Sequence, residues 1–296
     1  MTSYHRSAAA RRRRTVLQLS VIAAITALAV VVGVHVAGAT STGKRAAAAG
    51  ERSGPDQSAA AADLTTKLAK IIPSGIAASV AAFEPSSGDR LDFGQTSGML
   101  DASISKLDIL ECVLLTHEDA KLPIDADTDS LATSMIENSD NDAGQSLWDS
   151  LGPVQTITSL NTRLGLTHTL PNPDGYYGLS TTGAADQIAL LDDLVRADGP
   201  LDAPSQAYAL NLLHNVEADQ RWGTPAAADP GTTSAVKNGW LAVDADNDRW
   251  EVNSDGVLTV DGHQLLISVL TAHDSDEQSG INLVESISKA VATSLT

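Results

Sequence analysis

The chain has 296 residues, 43% of them apolar but only 3% aromatic, which excludes global disorder and leaves a core built on Ala, Leu, Ile and Val. Residues 1–52 hold eight basic side chains and one acid, so of the overall charge of -18 the remainder, 53–296, carries 11 basic and 36 acidic residues, net -25. A surface that acidic repels phosphate backbones and argues against nucleic-acid binding, and the single cysteine, Cys112, excludes an internal disulfide.

Arg11 to Arg14 precede an apolar run from Val16 to Val36, and Ala37-Gly38-Ala39 follows as an A-x-A cleavage pattern. Basic residues ahead of such a run hold the N-terminus inside and send the rest outward. Residues 1–39 therefore read as a signal peptide or an N-terminal membrane anchor, both of which place the domain outside the cytoplasm. No cysteine follows the run closely, so lipid attachment has no support. Residues 40–62, rich in Ala, Gly and Ser, read as a flexible linker, and the folded domain is expected over 63–296.

Within the domain, Asp63 is placed as the cap of a short helix to Ile71. Strands are expected at 76–83 and 90–93, around the turn Pro85-Ser86-Ser87-Gly88. Helical periodicity then covers 104–117, with Cys112 as a small buried hydrophobe, followed by 130–138, 143–151, 154–164, 182–196 and 205–216. Strands return at 234–238, 250–259 and 264–272, the last two joined at Asp261-Gly262, and a helix closes the chain at 280–294. This order predicts an α+β domain: a five-stranded antiparallel sheet flanked by helices, with an inserted all-helical subdomain and both terminal helices on one sheet face.

Three segments carry chemistry. In Asp101-Ala102-Ser103-Ile104-Ser105-Lys106, Ser103 stands where a helix begins and Lys106 lies one turn on, on the same face. A lysine there meets the positive end of the helix dipole, which favours its neutral form and lets it take a serine proton. Ser139-Asp140-Asn141 lies between two helical segments, where it also suits a helix cap. Lys237-Asn238-Gly239 ends the third predicted strand, with Trp240 next.

In this order and on these elements, the three segments resemble the S-x-x-K, S-D-N and K-T-G set of the penicillin-binding protein and class A β-lactamase superfamily. The resemblance spans most of 63–296 and implies a serine hydrolase acting on β-lactams, D-Ala-D-Ala-type peptides or related amides and esters. It implies that Ser103 is acylated, that Lys106 is its proton partner and that Ser139 relays a proton to the leaving group. Asn141 would hold the substrate amide and Asp140 would brace its loop. Lys237 would supply positive potential and Asn238 would contact the substrate carboxylate. The amides of Ser103 and Trp240 would form the oxyanion hole, with Gly239 structural. Arg221, in Arg221-Trp222-Gly223-Thr224-Pro225, resembles the arginine with which certain class A enzymes reach the same carboxylate.

The pattern also departs from the family. The K-T-G threonine is Asn238. No glutamate lies between Leu160 and Thr181, so the only substitute for the class A deacylating base is Asp174, in a Pro-Asp-Gly turn. The gap from Ser103 to Ser139 is short, which predicts a trimmed helical wall and a more open cleft. Efficient β-lactam turnover is thus doubtful, and a catalytically silent cell-envelope binding module on the same fold is the alternative. Asp244 to Asp248 has half the spacing of a calcium loop but lacks its glycine and glutamate, and reads as an acidic hairpin loop. No metal or cofactor is expected, the partner is a small-molecule or peptide substrate, and the chain is expected to be a monomer that meets a membrane only through its N-terminal segment.

Overall fold

The computed structural model describes residues 55–295, with side chains from residue 63 onward. The expected export segment, 1–39, and linker residues 40–54 lie outside the described residues. Helix α1 spans Pro55–Ile71, so it begins before Asp63 and takes in residues 55–62 that composition assigns to the linker. Asp63 is consequently no cap. It lies inside the helix and pairs with Lys67 one turn on at 2.7 Å.

Strands β1 (Ala77–Glu84) and β2 (Asp89–Gly94) form the first hairpin. A two-residue strand, β3 (Met99–Leu100), leads into a 3-10 turn at Ala102–Ile104. The helical block follows: α2 (Ser105–Ala120), α3 (Ala126–Glu137), α4 (Asn141–Ser150) and α5 (Val154–Arg163). The short strand β4 (Thr181–Thr182) pairs with β3, a ladder too short for periodicity to reveal. Then come α6 (Ala184–Asp193), α7 (Ala203–His214), β5 (Ala235–Val243), β6 (Arg249–Val260), β7 (His263–Asp274) and α8 (Glu277–Leu295).

The five long strands make one antiparallel sheet in the order β2-β1-β7-β6-β5. Alternation along each strand sends side chains to two cores. On one face Ala81, Leu266 and Leu270 join a cluster with Ile104, Leu107, Leu110 and Leu114 of the α2 side. On the other, Val80, Ala82, Ile267 and Val269 meet Leu64 and Leu68 of α1 and Val284, Ile287 and Val291 of α8. Each fully buried Leu or Ile contributes roughly 1.5–3 kcal/mol. Because both faces are covered, β7 is buried at every position from Leu265 to Ala272, a stretch that is apolar except for Ser268 and Thr271.

The β6–β7 turn has Asp261 at φ +48° and Gly262 at φ +78°, the geometry of a two-residue hairpin. The carboxylate of Asp229 accepts both turn amides at 2.9 Å. At the other end of β6, Asp244–Asp246 forms a 3-10 turn closing the β5–β6 hairpin, and Asp246 is held by Arg249 and His273. Among the described residues no helix is long and apolar enough to cross a membrane, and no group of His, Cys, Asp and Glu is arranged to hold a metal.

Candidate active site

Ser103 sits in the 3-10 turn ahead of α2, after Ala102, which is held at φ +49°. Left-handed backbone is disfavoured for alanine and persists only where the surroundings enforce it. The Ser105 hydroxyl contributes by donating to the Ala102 carbonyl at 2.6 Å. From Asp101 to Leu115 every residue is buried except Ser103, so the turn offers one hydroxyl to the outside.

Ser139 lies between α3 and α4, again left-handed at φ +53°. Asp140 caps α4 by accepting the Ala143 amide at 2.8 Å. Lys237 lies on β5, the edge strand of the sheet. Here the element assignment changes. The strand runs on to Val243, so Lys237-Asn238-Gly239 lies in its middle, and Trp240 is a strand residue. The register explains this, because β6 pairs with β5 as far as Val243↔Arg249 and carries it past the glycine.

The three segments converge. Lys106 Nζ lies 2.9 Å from Ser103 Oγ, 2.7 Å from the Ser139 carbonyl, 3.1 Å from Ser139 Oγ and 2.8 Å from Asn141 Oδ1. Lys237 Nζ donates to Ser139 Oγ at 3.0 Å and to the Asn238 carbonyl at 2.9 Å. Ser139 Oγ therefore lies between two amines. Both lysines are buried. Burial pushes Lys106 down to about 7, against the pull of Asp140 in the other direction. Burial, with Lys106 adding to it, also pushes Lys237 well below the usual lysine range, opposed by Asp255 across the ladder.

The contacts of Lys106 accommodate a neutral amine as well as an ammonium. An amine nitrogen has three positions beyond its Cε bond, and here four oxygens compete for them. Two of these, the Ser139 carbonyl and Asn141 Oδ1, only accept. In its neutral form the amine can give its two protons to them and turn its lone pair toward Ser103 Oγ at 2.9 Å. That is the arrangement of a general base beside a nucleophile.

Glycine at 239 is a steric requirement. A Cβ there would lie 2.6 Å from the Ser103 nitrogen, 2.7 Å from the Ile104 nitrogen and 2.9 Å from the Asp101 carbonyl oxygen, all backbone atoms. The turn that carries Ser103 thus rests directly on β5. Asn253 of β6 supports it by donating to the Leu100 and Asp101 carbonyls at 2.8 and 3.1 Å.

Tyr177, absent from the motif reading, also belongs to the site. Its hydroxyl donates to Asn141 Oδ1 at 3.2 Å, and Lys106 Nζ lies 5.7 Å from its ring centroid. Gly144 makes room for both, since a Cβ there would lie 2.9 Å from the Tyr177 oxygen and 3.2 Å from Lys106 Cε. The Tyr-Tyr pair in an otherwise turn-forming loop was the available signal.

Three expected contacts are not made. Asn238 is buried, and its amide nitrogen donates to the Gln220 and Trp222 carbonyls at 2.8 and 3.0 Å. It holds a loop, with no N–H left for a substrate carboxylate. Arg221 Nε donates to the Val216 carbonyl at 3.0 Å and Nη2 to that of His214, so this guanidinium satisfies the C-terminal end of α7 instead of reaching into the cleft. Asp174 is exposed in a turn organised by Asn172, whose Oδ1 accepts its amide at 3.0 Å, and its carboxylate makes no described contact with Ser103 or Lys106.

The segment Glu217–Trp222 straps one end of the cleft. Glu217 N donates to the Glu137 carbonyl at 3.0 Å, Asn138 donates to the Glu217 carboxylate at 2.6 Å, and Gln220 donates to the Asn138 carbonyl at 3.2 Å. At its far end Trp222 meets Trp240 edge to face, with ring centroids 5.6 Å apart and planes at 66°.

Comparison with known proteins agrees with this layout. The model of the beta-lactamase enzyme family matches residues 118–295, a range that holds Ser139 and Lys237 and begins after Lys106. LppW of Mycobacterium tuberculosis and of Mycobacterium bovis, named as a lipoprotein, is 27% identical over 218 residues, 70% of this chain and 68% of the relative. Among solved structures, PBP-A, including a variant seen as an acyl-enzyme with penicillin G, gives a TM-score of 0.67 at 19% identity over 79% of this chain and 96% of that one. The TLA-1 extended-spectrum β-lactamase gives 0.70 at 16% identity over 80% and 99%. At such identities the likeness is one of fold, and the fold is the class A β-lactamase α+β architecture.

Proposed function

The chain belongs to the beta-lactamase enzyme family, and from that premise we propose that it is an exported serine hydrolase acylated at Ser103. The observation that carries this reading is the buried Lys106 nitrogen, which lies 2.9 Å from Ser103 Oγ and within hydrogen-bond reach of the Ser139 carbonyl and Asn141 Oδ1.

The reaction follows from these positions. Ser103 Oγ attacks the carbonyl carbon of an amide or ester, and its proton passes to Lys106 Nζ. The oxyanion is held by the amides of Ser103 and Trp240, which the fit of Gly239 against the nucleophile turn brings close together. The C–N or C–O bond then breaks, and the leaving atom takes a proton through Ser139, which Lys106 and Lys237 flank at 3.1 and 3.0 Å. Lys106 returns to its neutral form. Water cleaves the acyl ester in the second half of the cycle, releasing the acid and the Ser103 hydroxyl. With no glutamate between Leu160 and Thr181 and Asp174 turned to solvent, this half is slow and the acyl-enzyme persists.

Residues 16–36 would carry or hold the domain outside the cytoplasm. LppW is named as a lipoprotein, but the only cysteine here, Cys112, is buried in α2 and is no lipid anchor.

Intact-mass analysis of the exported protein after penicillin treatment tests the reading. A long-lived adduct that disappears in Ser103→Ala is expected, and the same spectrum gives the mature N-terminus. Ligand binding that survives Ser103→Ala, with no adduct or turnover under conditions that label PBP-A, would establish a silent binding module instead.

A further inference from the structure

Tyr177 touches no reacting atom in the reaction proposed for Ser103, yet it is buried against the base. It opens a 3-10 turn, Tyr177–Leu179, that lies against the Ser103 turn, where a Cβ on Gly178 would meet the Ala102 carbonyl oxygen at 3.7 Å. Its ring packs on Trp148 of α4, with centroids 6.3 Å apart, over the bare backbone of Gly144. The hydroxyl reaches Asn141, at 3.2 Å from Oδ1 and 3.3 Å from the main-chain carbonyl oxygen. Burial, reinforced by Asp140 and Asp142, pushes the phenol above the usual tyrosine range, so it keeps its proton and is no second base.

Two features of the site meet at this ring. Asn141 is an exposed residue, but its Oδ1 is turned inward, where it accepts from Lys106 at 2.8 Å and from Tyr177. Its Nδ2 has no described partner and is left to the open side. Lys106 is fully buried, and among the described contacts of its nitrogen four are oxygens and the ring, 5.7 Å away at its centroid, is the one apolar surface. Without the ring, the space between Gly144, Asn141 and Lys106 would be edged by polar groups and would admit water.

Building on the hydrolase reading above, we infer that Tyr177 is a positioning residue for acylation of Ser103: its ring keeps water off the Lys106 amine, and its hydroxyl holds Asn141 with Oδ1 on that amine and Nδ2 toward the substrate. The charges that face this corner are Asp140 and Asp142 on α4 and Lys237 on β5, with Asp255 behind it on β6, and all of them remain when Tyr177 is replaced. Opening the pocket hydrates the ammonium and moves Lys106 back up from about 7, since burial is what lowers it. Losing the attraction of the ring for a cation acts the other way, but 5.7 Å is close to the ~6 Å limit of that interaction, so hydration decides the sign.

The test is the rate at which penicillin G forms its Ser103 adduct between pH 5 and 9, followed by intact mass in the parent and two variants. Tyr177→Ala should move the midpoint of the rise up by at least about half a unit, which alone slows acylation about threefold at pH 6. Tyr177→Phe keeps the ring, so its midpoint should match the parent while its plateau rate falls about threefold to tenfold with the hydrogen bond to Asn141 lost. A midpoint in Tyr177→Ala that stays or moves down overturns the inference, and so does a parental plateau in Tyr177→Phe. The second variant preserves the packing and keeps the test decisive where Tyr177→Ala does not fold. Either failure leaves the hydrolase reading intact as long as the parent forms the adduct. If the parent forms none, that reading falls and this one falls with it.

Discussion

At the scale of single residues, the chemistry turns on the proton of Lys106. Burial places that amine near 7, so its neutral fraction grows with pH across the neutral range. Acylation of Ser103 is expected to rise about tenfold per pH unit below 7 and to level off above it, as read from the rate of adduct formation between pH 5 and 9. Lys106→Met should lower the rate roughly 10²–10⁴-fold at pH 8 and remove the rise. The residues behind this behaviour were legible because their spacing is local: Ser103 and Lys106 are one helical turn apart, and Ser139 to Asn141 are contiguous. The roles of Asn238 and Arg221 were not legible, because their partners are carbonyls of the 214–222 segment and only the tertiary path of that segment sets them. Tyr177 stayed hidden for the same reason, since its partner Asn141 lies on a helix far back in the chain.

At the scale of elements, the candidate site depends on how closely the Ser103 turn approaches β5. Gly239→Ala would drive a methyl into three backbone atoms that cannot rotate away, so strand and turn must separate. A loss of about 1–3 kcal/mol in denaturant unfolding is expected, together with at least about a hundredfold loss in acylation, because the two proposed oxyanion donors, the amides of Ser103 and Trp240, sit on opposite sides of that contact. The elements themselves were largely readable from apolar periodicity, including the five sheet strands and the helical block between them. Boundaries shifted where a tertiary partner extends an element, as β6 does for β5. They also shifted where a cap went unnoticed: α3 starts at Ala126 because Asp125 accepts the amides of Asp127 and Thr128.

At the scale of the whole molecule, the interior holds an unusual load of acids. Asp101, Asp108, Glu111, Asp255 and Glu251 are all buried, and the carboxylates of Asp101 and Glu111 have no described hydrogen-bond partner. Burial, with Asp246 and Asp274 nearby, raises Glu251 to about 8. A raised carboxyl pKa means that the folded form binds the proton more tightly than the unfolded form. The stability it contributes is therefore complete below about 4.5 and is lost as pH climbs through 8. Glu251→Gln should melt like the parent at pH 4.5 but above it at pH 9. Scanning calorimetry would register about 2–4 °C for each kcal/mol recovered, and identical pH dependence in both proteins would refute the assignment. The sheet order has a temporal consequence too. Among the described residues the first strand in the chain, β1, sits between its hairpin partner and the last, β7, while α1 packs against α8. In a chain that lacks β7 and α8, β1 and α1 have nothing to close against, so the described domain is completed only when its C-terminal segment arrives.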